Sequence, residues 1–453
     1  MASTSVLSRS FPTLKYLAAP FRWLFGSRWR VLTAATVLAA MIVIPPLWWA
    51  TQLFGLPDIG DPFDVRAFQS FTIPDERNAF VLYHQAADRL KPVVIPVTTS
   101  KEEREKIDLH ATWSKADPIV RRWVDENREV LELYRQGAAR PDALEPALAE
   151  KPDPPWNMTH VFRTFQQLAL LEASRLEEQG DTAAAWVWYR AALRATYHMG
   201  LHGTIITRLV GQSRASRLRQ RFSTWAADPR TSAELIRQAI DDVNACGSLV
   251  ASELYTLKAE YSCVEFIFDT PYDPGRQLLI SKLNGALDSR GYQLDSDQIR
   301  ALADGWQFWR RDRERSRRVI RLAVANWLAY YNMSRNRRPA ADSQVSSPFA
   351  FYSFGPDAPA TARALAPEAL DRWLNTTYDA FEILRSWDLR KLQAREQANH
   401  RALLILLATE LYRRDHKSEP PSDEALVGPY LERLPDDGID EPGHTSGGGS
   451  GGA

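Results

Sequence analysis

Two histidines four residues apart are the first candidates for chemistry. His198 and His202 stand at i and i+4, the spacing at which one helix face can hold a metal ion. In a zincin motif the general-base glutamate would occupy position 199, which is methionine here. Gly200 weakens a helix at this point, so His202 is expected to end it. We therefore keep the pair as weak metal-ligand candidates and predict no metal site.

Other acidic groups fit structural roles. Asp295-Ser296-Asp297 suits the N-cap of a following helix, and Asp415-His416 suits a helix terminus. No Gly-rich phosphate loop occurs, and no Gly-x-Ser-x-Gly elbow occurs outside the Gly/Ser-rich C-terminal residues. The sequence thus predicts no catalytic residue and no cofactor, and it disfavours an enzyme.

The main charged feature is the stretch 308–338, in which arginines alternate with tryptophan and tyrosine. Three interpretations stay open. The arginines could line a solvated helix face and pair with acids of 101–106 or 125–132. They could rest on an outer leaflet or an anionic polymer, or they could form a partner-protein interface. The last two interpretations would use Arg310, Arg311, Arg317, Arg318, Trp309 and Trp327.

Helical periodicity dominates the elements that carry these groups. Helices are predicted at 74–90, 101–109, 116–136, 158–179, 181–200, 203–226, 231–264, 275–286, 296–333, 366–388 and 390–415. The prolines of the β-rich segment 91–99 reduce it to an extended linker or an edge strand. No series of alternating strands is seen, which predicts an all-α architecture.

One segment, residues 31–54, is predicted to form a transmembrane anchor. Its 24 uncharged residues would reach about 36 Å as a helix, against a hydrocarbon core of about 30 Å. Pro45-Pro46 is expected to kink or break the helix. A buried core helix and a cleaved signal peptide are the disfavoured alternatives. The predicted anchor residues are Val31, Ile42, Ile44, Trp48, Trp49 and Phe54.

Flanking charges predict the orientation of this anchor. The charged residues that precede it are all basic, and the acidic residues Asp58, Asp61 and Asp64 follow it. Because Lys and Arg beside a span stay cytoplasmic, the N-terminus would lie inside and the bulk of the chain in the periplasm, at the bacterial inner membrane. This orientation disfavours nucleic acid as a partner. Residues 5–27 suit an in-plane amphipathic helix, and the interrupting prolines equally suit a disordered tail.

The composition of the whole sequence is typical of a folded protein. Apolar residues make up 45% of the whole chain, enough to bury real cores, and its formal net charge is +0. Cys246 and Cys263 would lie about 25 Å apart on one helix, so two free buried thiols are expected. The last nine residues look like an artificial linker, and the native sequence is expected to end near His444.

Residues 158–200 resemble a tetratricopeptide (TPR) hairpin. Gly180 stands at the turn, Ala173 and Ala185 are small contact residues, and Tyr189 is the groove-filling aromatic. No second copy follows about 34 residues later, where Arg214 replaces the turn glycine. The resemblance implies one TPR-like hairpin in an irregular helical domain, or an array with diverged neighbours.

Residues 403–437 resemble the soluble start of the major (G-class) pseudopilins of type II secretion. The matches are 411–416, Pro421-Ser422, Leu426, Tyr430-Leu431 and Leu434-Pro435. The prepilin-type N-terminus and the calcium-binding loop are missing, and Pro420 replaces a tyrosine, so the resemblance implies a shared local fold only. The anchor, the helical middle, this tail and segment 58–90 together resemble a group of uncharacterised single-pass membrane proteins of planctomycete-type bacteria.

These expectations divide the chain into six parts. They are a cytoplasmic basic amphipathic tail (1–30), a transmembrane anchor (31–54), a connector with the first helix (55–100), a helical domain with the TPR-like hairpin (101–340), C-terminal helices with the pseudopilin-like tail (360–444) and a linker (445–453). Phe63, Phe68 and Phe71 are expected to pack the connector onto the helical domain.

The predicted function is a membrane-tethered, outward-facing helical scaffold or assembly subunit. It would bind another envelope protein and, through its anchor, membrane lipid; homo-oligomer formation is left open. The alternative is an envelope enzyme or solute-binding subunit, for example one acting on cell-wall glycan. A deep cleft with converging carboxylates or with the two histidines would favour the alternative, and a grooved helical surface would favour the scaffold.

Overall fold

The described secondary structure is helical throughout. A computed structural model of the chain describes residues 28–94, 108–109, 111–145, 156–269, 298, 312–334, 337–339, 350–377, 384 and 389–434. In these ranges the β pairing is limited to two isolated bridges, between Asn78 and Asp142 and between Val427 and Leu431. The prediction of an all-α fold is confirmed for this part of the chain.

The described α-helices are named here in chain order. They are α1 (Arg28–Phe54), α2 (Val65–Gln69), α3 (Ala79–Arg89), α4 (Pro118–Glu126), α5 (Arg128–Ala139), α6 (Trp156–Glu178), α7 (Thr182–Leu201), α8 (Ile205–Ala227), α9 (Ala233–Cys246), α10 (Glu253–Asp269), α11 (Asp312–Asn332), α12 (Pro367–Thr376) and α13 (Leu389–His416). Short 3-10 turns occur at Trp113–Lys115, Gly247–Leu249 and Asp423–Leu426.

Two compact units make up the chain. The first consists of Met1–Asp58, Tyr272–Ile320 and Trp373–Phe381, and the second of Ile59–Pro271, Arg321–Arg372 and Glu382–Ala453. Helices α2 to α10 and α13 belong entirely to the second unit. Helices α6, α7, α8 and α13 therefore all lie within one unit.

Helix α1 covers the segment predicted as the membrane anchor. It continues through Pro45-Pro46, so the break expected there is absent, because each proline removes only its own N–H from the helical ladder. Predicted anchor side chains are exposed at Ile42 (50%), Ile44 (61%) and Phe54 (84%). Trp48 is exposed too, Val31 is half-buried, and the Trp49 side chain lies outside those described.

Judged on the described residues, neither α1 nor any other helix combines the length and the apolarity needed to cross a membrane.

The predicted helix at 116–136 is split in two by Asn127. Its amide Nδ2 donates to the Trp123 carbonyl at 2.8 Å and to the Lys91 carbonyl at 3.1 Å. Its Oδ1 accepts the Lys91 N–H at 2.9 Å. An asparagine that bonds backbone groups in this way competes with the helical ladder, so α4 ends and α5 begins at this residue.

The predicted helix at 231–264 is also split, at the turn Gly247–Leu249. The split places Cys246 on α9 and Cys263 on α10, not on one helix as expected. Both thiols are free, with Cys246 buried and Cys263 half-buried. Burial raises the pKa of each to about 12, so neither is a reactive thiolate at neutral pH.

Several predicted helices are only partly described. Those at 275–286 and within 5–27 lie outside the described residues, as does most of 101–109. The described part of 296–333 is chiefly α11, and that of 366–388 is chiefly α12. Residues 91–94, at the start of the segment predicted as a linker or an edge strand, form no strand.

The aromatic residues of the connector pack on α10, as predicted. The Phe63 ring lies 5.4 Å from the ring of Tyr261. The rings of Phe68 and Phe71 lie 4.8 Å and 6.4 Å from that of Tyr255. These contacts attach the connector to the helical domain through side chains spaced along α10.

Helices α6 and α7 form the predicted hairpin. The chain turns at Gly180, whose φ of +85° is a left-handed conformation that glycine adopts at little cost. Ala173 and Ala185 are fully buried, and the Tyr189 hydroxyl donates to Glu177 Oε1 at 2.8 Å across the pair. The hairpin itself is thus present, and its resemblance to the TPR family stays a prediction.

Helix α8 approaches α7 closely at Gly211. A Cβ atom placed on this residue would lie only 2.5 Å from the Thr196 carbonyl oxygen of α7. We expect Gly211→Ala to force the two helices apart and to lower the free energy of unfolding by about 1–3 kcal/mol. Chemical denaturation of the full chain in detergent, followed by tryptophan fluorescence, measures this loss.

A matched control for Gly211 is available. An added Cβ at Gly355 meets no atom within 4 Å, so Gly355→Ala should change the free energy of unfolding by less than about 0.5 kcal/mol. Equal effects of the two substitutions would contradict the close approach of α7 and α8.

Helix α13 closes the second unit against α8 and α9. The Arg414 guanidinium donates to the backbone carbonyls of Ala226, Asp228 and Thr231, in the turn between those helices. Beyond α13 the chain folds back, and the Tyr430 hydroxyl donates to Asp415 Oδ2 at 2.8 Å. This is the segment with the pseudopilin resemblance, which likewise stays a prediction.

Candidate functional site

Two described arginines of the predicted arginine-rich stretch are engaged inside the protein. Arg318 donates to Glu314 Oε1 at 2.9 Å and pairs with Asp58 at 3.4 Å. Arg321 pairs with Asp61 at 3.0 Å. These two arginines thus pair internally, with acids of the connector, of α10 and of α11 itself. Two internally paired arginines are poor anchors for an outside partner.

Other members of this stretch are also withdrawn from the surface. Arg315 is buried, with its guanidinium carbon 5.6 Å from the centre of the Trp373 ring. Trp327 is buried as well, and its indole N–H donates to the Ala350 carbonyl at 2.9 Å. This places Trp327 away from any exposed interface. Arg317 is half-buried, and Arg310, Arg311 and Trp309 lie outside the described residues.

The two histidines at i and i+4 do not converge on one point. His198 Nδ1 lies 2.8 Å from the Tyr83 hydroxyl, in the core. His202 Nε2 lies 2.9 Å from a different group, Asp142 Oδ1. Among the described residues no group of three or more His, Cys, Asp and Glu could hold a metal ion. Both histidines therefore fit structural roles.

Acid should destabilise the protein through His198. Burial, and then the charge of Arg194, lower the pKa of this imidazole to about 3, so the folded state keeps it neutral. The unfolded chain takes up a proton near pH 6.5. The stabilisation is therefore complete above about pH 6.5 and is lost as the pH falls toward 3, by about 2 kcal/mol at pH 5.

The matching measurement compares wild type with His198→Gln at pH 7 and pH 5. All other titrating groups, including Glu260 with its pKa raised to about 7 by burial, are common to both proteins. Wild type should lose about 2 kcal/mol more than the variant between the two pH values. Equal losses would show that His198 is not held neutral.

Helix α8 carries a one-sided charge. Its 23 residues include five arginines and no acid. Exposed side chains recur along one side of it, which we call the α8 outer face: Ile206, Leu209, Ser213, Arg217, Gln220 and Thr224. Ile206 and Leu209 are exposed to 40% and 42%. The face thus joins an apolar end to a polar, basic end.

An arginine cluster borders the basic end of this face. It consists of Arg163 on α6 and of Arg214 and Arg217 on α8. The Gln166 amide donates to the Arg214 carbonyl at 3.2 Å and holds the two helices together here. Burial, and then the charges of Arg217 and Arg163, lower the pKa of Arg214.

Two of the three arginines in this cluster are not paired with an acidic residue in the described part of the chain. Among the described residues, neither the Arg163 nor the Arg214 guanidinium makes a hydrogen bond or an ion pair, and Arg214 Nε is buried without a partner. An incoming carboxylate would therefore relieve the repulsion between these like charges. This surface was not among the sequence predictions, although the absence of acids over 205–227 was a visible signal.

A cleft that is partly open to solvent lies between α7, α8 and α13. Its polar lining residues are Thr196, Tyr197, Arg208, Gln212, Glu396 and Asn399, and the turn residues Leu249, Val250 and Ala251 form an apolar wall. These residues come from segments that are far apart in sequence, and no motif marks them.

The base of the cleft is a buried ion pair. Arg208, whose side chain is 0% exposed, donates from Nε and Nη2 to the two carboxylate oxygens of Glu396 at 2.9 and 2.5 Å. A third donor, Nη1, reaches the Thr256 hydroxyl at 3.1 Å. This two-pronged contact neutralises the carboxylate, which makes Glu396 a poor general base.

One acceptor in the cleft has no partner. The Gln212 side-chain Nε2 donates to the Leu392 carbonyl at 2.9 Å, whereas its buried Oε1 is bonded to no described residue. A carbonyl can accept only from the NH₂ end of an amide, so the Leu392 contact orients the group and leaves Oε1 as the unpaired end. A buried acceptor in this state costs about 1–3 kcal/mol.

No protein-family model matches this chain, and neither a curated protein nor a solved structure matches it. The α8 outer face, the arginine cluster and the cleft are therefore interpreted from their own chemistry.

Proposed function

We propose that this protein is a membrane-tethered helical scaffold that binds an acidic, amphipathic segment of another envelope protein. The observation that carries the proposal is the α8 outer face with its arginine cluster. Ile206 and Leu209 offer exposed apolar surface at one end. Arg163 and Arg214 offer uncompensated positive charge at the other. A segment with apolar residues followed by carboxylates matches this order.

The two ends of the face have different roles in this proposal. Burial of the two apolar side chains would supply most of the binding free energy, at about 25 cal/mol per Å². The arginine cluster would steer the partner and fix its register, because exposed charge pairs contribute more to association rate and specificity than to affinity. Binding should therefore weaken at high salt without vanishing.

The tether in this proposal is helix α1, with the N-terminus inside and the rest of the chain outside. The support comes from the uncharged residues 31–54, the basic residues before them and the aspartates after them. The exposed apolar side chains of Ile42, Ile44 and Phe54 agree with a lipid environment.

Charge insertion tests the tether. Leu38→Arg combined with Ile42→Arg places two charges near the centre of α1, each expected to cost about 2.5–3.5 kcal/mol in the bilayer. The variant should leave the membrane fraction, whereas Phe54→Arg, at the helix end, should stay because its side chain can reach the interface. An alkaline phosphatase fused after residue 434 should be active. An inactive fusion, or a soluble wild type, would overturn the tether.

Site-specific photocrosslinking tests the docking face. A photoreactive residue at Leu209 or Ser213 should give one discrete adduct in native membranes, and the same residue at the exposed Gln238 of α9 should not. The crosslinked peptide should contain clustered Asp or Glu. Charge reversal by Arg163→Glu with Arg214→Glu should reduce the adduct at least tenfold. Equal adducts from Leu209 and Gln238, or an adduct without acidic residues, would contradict the proposal.

A second candidate function, a solute-binding subunit, is favoured by the cleft and its unpaired acceptor. The cleft does not support an enzyme of the acid–base type, because its one carboxylate is held by Arg208 and the two histidines are directed to Tyr83 and Asp142.

A further inference from the structure

We infer that the cleft between α7, α8 and α13 binds a small, uncharged molecule rich in hydroxyl groups, such as a sugar or a polyol. The inference is independent of the docking face, which lies on the exposed side of α8, whereas the cleft is bounded by Gln212 and Gly211 on its buried side. It rests on the geometry of three polar groups and on the charge balance at the base.

The first group is Gln212 Oε1, an acceptor that requires a donor. The residue is only 8% exposed, and its amide is oriented by the bond to the Leu392 carbonyl. The orphaned oxygen belongs to a residue that lines the cleft. A hydroxyl group of a ligand in the cleft is the kind of donor that this oxygen lacks.

The second group is Asn399, a half-buried residue of the lining. Its amide makes no hydrogen bond to any described residue. An amide presents both donors and an acceptor. Hydroxyl groups complement it in either orientation, because each can donate and accept.

The third group is the Tyr197 hydroxyl, which lies 2.9 Å from His400 Nδ1. Burial lowers the pKa of His400, so the ring is neutral at pH 7. The hydroxyl therefore meets a neutral partner and keeps one free lone pair or proton for a ligand. No charge is added to the cleft by this pair.

Charge balance excludes ionic ligands. Arg208 and Glu396 neutralise each other at the base of the cleft, so the cleft offers no unpaired counter-charge to an anion or to a cation. The wall formed by Leu249, Val250 and Ala251 is apolar and suits the C–H face of a sugar ring. An uncharged carbohydrate satisfies the donors, the acceptors and the wall together.

Ligand-observed NMR by saturation transfer, on the full chain in detergent, tests the inference. The probes are glucose, its anionic relative glucuronate and its cationic relative glucosamine. Glucose should give a signal that the charged probes weaken at least fivefold. Gln212→Leu should abolish the glucose signal, and Gln238→Leu, at an exposed position of α9, should leave it unchanged.

A second variant guards against loss of folding in Gln212→Leu. Ala215 is half-buried at the side of the cleft, so Ala215→Phe should fill the space while leaving every polar group in place. It too should abolish the glucose signal. The inference is overturned if glucose gives no signal, if glucuronate binds as well as glucose, or if neither variant affects binding. A crystal soaked in glucose that shows only water at Gln212 would overturn it equally.

Discussion

Glu396→Gln should lower the free energy of unfolding by about 3–5 kcal/mol, the cost of leaving one member of a buried ion pair without its partner. The Arg208 side chain is 0% exposed and that of Glu396 is 15% exposed, so water cannot replace the lost carboxylate. Chemical denaturation in detergent measures the loss. The site matters beyond stability, because this pair forms the base of the cleft and joins α8 to α13.

Two comparisons isolate the pair. Removing both charges with Arg208→Met and Glu396→Leu should recover part of the loss, because no uncompensated charge then stays buried. Glu234→Gln, which breaks the exposed pair with Arg237, should cost less than about 1 kcal/mol. A loss from Glu396→Gln as small as that from Glu234→Gln would show that Arg208 is not buried as described.

Trp186→Ala should also lower the free energy of unfolding by about 3–5 kcal/mol, because it removes a large ring from the core. Trp186 is 1% exposed and stacks on Trp225, with the ring centres 4.7 Å apart. Its indole N–H donates to Asp242 Oδ2 at 2.8 Å. The substitution therefore leaves a cavity and takes a donor away from a carboxylate.

The neighbouring Trp188 supplies the control for this prediction. It is only half-buried on the same helix, so Trp188→Ala should cost clearly less. The loss of unfolding free energy caused by Trp186→Phe should lie between the losses caused by Trp188→Ala and Trp186→Ala, since this variant keeps an aromatic ring but not the indole N–H. If Trp188→Ala were as damaging as Trp186→Ala, the core of the second unit would be centred elsewhere.

The helices could be predicted because their apolar residues repeat with helical period over long segments. Gly180 marked the turn between α6 and α7 correctly, since glycine is favoured where φ is positive. The breaks at Asn127 and after Cys246 could not be predicted. The break at Asn127 depends on the bonds of its side chain to the backbone of the distant Lys91.

The functional surfaces were harder to predict. The arginines of 308–338 look like a surface patch in sequence, but Asp58 and Asp61, which pair with Arg318 and Arg321, lie more than 200 residues earlier. The Arg208–Glu396 pair joins residues separated by 188 positions, and no local pattern reveals such a pair. The α8 outer face was predictable in part, because a stretch without acids is visible in sequence. Its exposure requires the fold.

Reciprocal charge exchange tests the central claim, that the α8 outer face binds an acidic segment of an envelope partner. The measurement is the yield of the Leu209 photoadduct in native membranes. It is made with Arg163→Glu and Arg214→Glu in the scaffold, and with arginine in place of the acidic residues of the crosslinked peptide. Reversal on either side alone should reduce the yield at least tenfold, and reversal on both sides should restore it. The claim would be contradicted if the yield of the photoadduct did not depend on these charges, or if reversal on both sides did not restore it.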